Sequence, residues 1–173
     1  MVAPLVAVLA AAFLLAPGLV AGPSLDAAVF TIAGQEVLGG AVPYQDIWDH
    51  KPPGVYALST AAQLLTPRLD PWIAVWLLSV VCLAASALLV RSIARAVGAG
   101  TASMPAAALA VAGMGLFPLS LGGGMTETLA LPWALAGLRL GVSGGRGGLR
   151  TVVGGLLIGL GAVVSPQVLP AGL

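Results

Sequence analysis

The sequence predicts an all-α integral membrane protein with about five transmembrane helices, and three observations predict it. Hydrophobic residues make up 59% of the 173 positions and charged residues 8%, at a mean hydropathy of +1.06. A soluble domain carries roughly 25% charge. Several apolar runs approach or reach the roughly 20 residues needed to cross a hydrocarbon core. Charge is also sorted along the chain: Asp26, Glu36, Asp46, Asp49 and Asp70 fall between 22 and 70, and most arginines follow position 90. The net charge of +1 points neither to nucleic acid nor to an anionic surface as partner. Cys82, the one cysteine, lies in an apolar run, reads as a small buried hydrophobe and can form no intrachain disulfide.

The first run, 2–21, contains no charged side chain. No basic residue precedes it and it exceeds a usual signal-peptide core, so it reads as a retained anchor. Residues 22–70 form a polar loop on one side. Within it Ser24 is placed to cap a helix over 27–38, which Gly39-Gly40 ends. The apolar stretch 55–66 has only 12 residues and carries Ser59, Thr60 and Gln63, which fits an interfacial or re-entrant helix better than a span. Further spans are expected at 72–90, 102–121, 124–140 and 151–169. The glycine-rich segment 141–148 is a flexible connector and lacks the strand and Lys-Ser/Thr ending of a phosphate loop.

Orientation follows from the arginines. If 55–66 does not cross, Arg91, Arg95, Arg139, Arg146 and Arg150 share one side, which the positive-inside rule makes cytoplasmic. The N-terminus is then inside, and all six acids, Glu127 included, face outside.

The chemistry concentrates in Asp49-His50-Lys51-Pro52-Pro53-Gly54. Lys51 is a compact cation suited to gripping a phosphate. The prolines remove backbone donors and stiffen the turn. The simpler readings are an Asp49–Lys51 surface pair at a helix entrance, worth little, and His50 as a hydrogen-bonding orienter. Trp48, Tyr44 and Trp72 suit an interfacial aromatic belt. Asp26 either favours the dipole of its helix or acts on a group at the membrane surface. Asp26, Asp46, Asp49 and Glu127 offer oxygen ligands to a divalent cation, but their spacing matches no metal signature.

The order of these features is similar to the N-terminal part of GT-C membrane glycosyltransferases. A first span is followed by Asp26, then Gly39-Gly40-x-x-Pro43-Tyr44-x-Asp46, then Asp49-His50-Lys51-Pro52-Pro53-Gly54-Val55-Tyr56. The groups it resembles are the bacterial protein mannosyltransferase-like, aminoarabinose transferase-like and Rgt-type enzymes, over about residues 1–140. The resemblance implies a polyprenyl-phosphate-linked sugar donor, a lipid, glycan or protein acceptor, and action at the outer face of the bacterial cytoplasmic membrane. It implies Asp26 as catalytic base and Lys51 as the phosphate contact, with His50, Asp49, Asp46 and Glu127 around the substrate. His50 stands where aminoarabinose transferases have an acid, and Leu25 stands where the family often has a second one. Family members are longer, so the chain is expected to be an N-terminal portion without activity alone. Two other readings are a transporter or flippase subunit and a membrane scaffold whose outer loop binds a partner.

Overall fold

A computed structural model describes residues 2–116, 120–143 and 148–167. Its helices are α1 (Val2–Leu15), α2 (Pro17–Ala21), α3 (Leu25–Leu38), α4 (Pro53–Leu65), α5 (Pro71–Ala96), α6 (Ser103–Gly115), α7 (Thr126–Ser143) and α8 (Leu149–Val164), with a 3-10 turn at Gly100–Ala102. No strand occurs among the described residues, where one isolated bridge pairs Pro43 with Ile47.

Among the described residues, two stretches are long and apolar enough to cross a membrane: α1 with α2, 20 residues, and α5, 26 residues. The other three expected spans are shorter or more polar. The run expected over 102–121 ends as a helix at Gly115, 13 residues, because Leu116 turns extended (ψ 132°) two residues before Pro118. Its continuation at 117–119 lies outside the described residues. α7 has 18 residues but contains Pro132 and Arg139, and α8 has 16. Arg146 and positions 168–169 also lie outside the described residues. The short segment expected over 55–66 is the 13-residue α4.

Local signals explain the ends. The Ser24 hydroxyl accepts from the Ala27 amide at 3.3 Å and starts α3. The Asp70 carboxylate accepts from the Trp72 amide at 2.8 Å, and Pro71 follows at the first helical position of α5. Proline at position 17 breaks the first span into α1 and α2, since it has no N–H to continue the ladder.

α5 is the spine. One of its sides buries Trp76, Val80, Leu83 and Ala84 against Ala7, Ala11 and Leu15 of α1. Cys82, on another side, joins a second core with Phe30, Val55, Tyr56, Leu129, Ala130 and Val164. α1 and α5 run antiparallel, because the Trp76 and Trp72 indoles donate to the Leu15 and Gly18 carbonyls at 2.9 and 3.2 Å. Small residues permit close helix crossings. A Cβ on Gly115 would meet Leu14 and Leu83, and one on Gly137 would meet the Gly154 carbonyl across the α7–α8 contact. At the far end of α5 the Arg139 guanidinium donates to the Ser92 hydroxyl at 2.7 Å, so Arg91, Arg95 and Arg139 gather there. The bundle thus has an arginine end and, opposite, an end carrying α3, α4 and the acids.

Candidate functional site

α3 and α4 run in the same direction, which sets up the site. Phe30 of α3 packs edge-on against Tyr56 of α4, with ring centroids 6.4 Å apart. Farther along, the Gln63 amide donates to the Thr31 carbonyl at 2.9 Å and crosses over Gly34, where a Cβ would lie 2.5 Å from that amide nitrogen. Parallel helices force the 39–52 segment to run back along their length. The N-terminal turns of both helices, and the residues just before α4, therefore meet at one point. Gly54 fixes α4 there: a Cβ on it would sit 2.6 Å from the Val163 carbonyl oxygen at the end of α8.

Asp26 and Lys51, 25 positions apart in sequence, face one another at that point. The Lys51 Nζ lies 3.7 Å from Asp26 Oδ2, with the two side chains 27% and 49% exposed. The ammonium also lies 5.9 Å from the centroid of the Phe30 ring, a cation–π distance. Asp26 in the first turn of α3 complements that helix's dipole. Lys51 does the reverse, since it precedes α4 at the end that disfavours a cation. Local helix stabilisation explains Asp26 and does not explain Lys51.

Asp49 works inward rather than on Lys51. Its side chain is 14% exposed. One carboxylate oxygen accepts from the Tyr56 hydroxyl at 2.8 Å, and the other accepts from the His50 amide at 2.7 Å and lies 3.2 Å from His50 Nδ1. The simpler reading, a surface pair of Asp49 with Lys51, gives way to Lys51–Asp26 and Asp49–Tyr56. Burial pushes the Tyr56 phenol well above its usual range, and the hydrogen bond and charge of Asp49 add to the shift. The Tyr44 phenol is raised too, first by burial and then by the Asp49 charge. Tyr44 donates through its hydroxyl to the Lys51 carbonyl at 2.6 Å and packs edge-on against Tyr56, centroids 5.9 Å apart. Its φ of +68° is unusual for a bulky residue and is held by that contact and by its amide's bond to the Ile47 carbonyl at 3.0 Å.

The other expected residues lie around this core. His50 points outward, its side chain 86% exposed. The Asp46 carboxylate folds back on the Val42 amide at 2.8 Å in the exposed turn. Glu127 is exposed in the first turn of α7. The glycine segment before it reaches the site: a Cβ on Gly124 would lie 2.5 Å from the Ala27 Cβ, next to Asp26, and its amide donates to the Ser79 hydroxyl at 2.8 Å. Among the described residues no group of three or more His, Cys, Asp or Glu is gathered as a metal site. The four acids weighed as oxygen ligands are dispersed, and Asp49 and Asp46 are already engaged.

No family model, curated protein or solved structure matches this chain. Chemical roles therefore rest on the residues themselves. Phe30 and Tyr56 were not singled out as site residues by sequence reasoning, although Tyr56 closes the quoted Gly-Val-Tyr pattern. Phe30 looks in sequence like any apolar helix residue, and only the parallel arrangement of α3 and α4 brings its ring near Lys51.

Proposed function

We propose that the chain carries the donor-binding part of a membrane glycosyltransferase that uses a polyprenyl-phosphate-linked sugar. The observation that carries this reading is the Lys51–Asp26 pair beside the Phe30 ring, where a cation and a carboxylate share one half-exposed site. Lys51 meets the donor phosphate. A phosphate oxygen draws the ammonium from Asp26, whose contact at 3.7 Å is longer than a good hydrogen bond. Asp26 is then free to accept the proton of the acceptor hydroxyl as that oxygen attacks the anomeric carbon. The bond from that carbon to the phosphate oxygen breaks, the lipid phosphate leaves with the electron pair, and Lys51 stabilises its added charge. Tyr44 holds the Lys51 carbonyl, Asp49 holds the preceding His50 amide, and Glu127 stands on the neighbouring helix start. In this reading α1–α2 and α5 span a bacterial cytoplasmic membrane, with the N-terminus inside and the site at the outer face.

Donor photolabelling tests it. A polyprenyl-phosphate hexose bearing a photoreactive lipid tail is expected to label the purified chain. Unlabelled polyprenyl phosphate is expected to compete, and polyprenol lacking phosphate is not. Equal competition by the alcohol would mean that the site takes no phosphate and would overturn the proposal.

A further inference from the structure

A cavity lies at the end of the bundle opposite the Lys51–Asp26 pair. It is a groove of about 330 Å³ with α5 as floor and α1 and α6 as walls. Small side chains such as Ala3, Ala10 and Ala108 leave it open, and it closes where Leu14 meets Gly115. Its lining on α1 runs from Ala3 to Leu14, about 16 Å of rise at about 1.5 Å per residue. Half of a hydrocarbon core is about 15 Å. A groove of that volume and length accommodates one hydrocarbon chain.

The lining is apolar except for Arg91, which sits at the arginine end beside Met104. The Arg91 Nε is buried and has no hydrogen-bond partner among the described residues. Neither of the two ion pairs among those residues involves Arg91. A guanidinium that makes no ion pair among the described residues, at the mouth of an apolar groove one leaflet long, is complementary to a phosphate attached to an acyl chain. Arg95 and Arg139 at the same end add to the attraction for an anionic leaflet.

We infer that this groove binds one acyl chain of an anionic phospholipid of the inner leaflet, with the lipid phosphate on Arg91. The inference needs the membrane reading and the N-inside orientation but not the transferase reading. The site lies at the other end of the bundle from Lys51, so each can fail without the other.

The test is native mass spectrometry of the purified full chain, released from bilayers of equal phosphatidylglycerol and phosphatidylcholine. Phosphatidylglycerol adducts are expected to dominate. Arg91→Gln is expected to reduce that preference about tenfold or more, the loss of one charge-assisted hydrogen bond, and Arg91→Lys is expected to keep part of it. Ala108→Phe, which fills the groove, is expected to remove both adducts while Arg68→Gln, at the opposite end, leaves them unchanged. Equal retention of the two lipids by the native chain, or preference surviving in both Arg91→Gln and Ala108→Phe, would overturn it. So would a stable dimer that Ala108→Phe dissolves, since a second copy would then be the occupant.

Discussion

Replacing Lys51 with Met separates a phosphate-binding lysine from a structural one. Methionine keeps an unbranched apolar stem against Phe30 and removes only the charge. The stability cost is small on the observed geometry. An ion pair at 3.7 Å with one partner half exposed is worth about 0–1 kcal/mol, and the cation–π contact at 5.9 Å about 0.5–1 kcal/mol. Together these lower the melting temperature by no more than about 8 °C. Donor affinity is another matter. A charge-assisted hydrogen bond to phosphate contributes about 1.5–3 kcal/mol, so its loss weakens binding about 10- to 150-fold. The assay is competition of the donor photolabel by polyprenyl phosphate, run beside thermal melting in the same micelles. Lys51→Arg is expected to fall between, because a planar guanidinium restores the charge without the point geometry. Unchanged competition in a folded Lys51→Met variant would refute the reasoning and leave Lys51 as the partner of Asp26 alone.

Gly124→Ala adds a Cβ 2.5 Å from that of Ala27 at a residue whose φ is +78°. The backbone term costs roughly 1–2 kcal/mol and the crowding a further 1–3 or so. Both melting temperature and donor labelling should drop, because the first turn of α3 carries Asp26; an unaltered melting curve would contradict the packing. The chain's two tyrosines, Tyr44 and Tyr56, both have raised phenols, so ultraviolet titration of the folded protein should show less tyrosinate at the ordinary midpoint near pH 10 than the unfolded chain does. Since the folded values lie above the unfolded one, their stabilisation is complete below about pH 10 and is lost as pH rises through the folded values; a native titration at the ordinary midpoint would negate it. Finally, in a Cys82→Ala background, cysteine at position 45 should react with an impermeant reagent from the outer side and cysteine at position 97 only after lysis. The reverse pattern would sink the orientation.

What could be read from sequence and what could not differ by range. Ser24, Asp70 and Pro71 act on their own neighbours within a turn, so the starts of α3 and α5 were legible, as was the short helix that became Pro53–Leu65. The length of the 102–121 run misled, because hydropathy does not register the break at Leu116 ahead of Pro118. Asp26 and Lys51 were named separately; their meeting depends on two parallel helices and a returning strap, a tertiary fact. For Asp49 the sequence left two readings, a surface partner of Lys51 and a substrate contact. The 14% exposure of its side chain and its bond to Tyr56 depend on how α4 seats against α3.

The break at Pro17 has a consequence for biogenesis. Around it the Leu19 amide turns to the Ala16 carbonyl at 3.0 Å, while the Leu15 and Gly18 carbonyls accept from the Trp76 and Trp72 indoles of α5. On the membrane reading, a first span emerging alone holds two acceptors without those donors, in a solvent that supplies none. Its partners arrive only after about fifty more residues have been made and the acidic loop has crossed. The first span is therefore a provisional insert that becomes fixed when α5 docks. Loss of Trp72 and Trp76 together should then appear as slow or inverted insertion of the N-terminal hairpin, earlier than any defect in the finished protein.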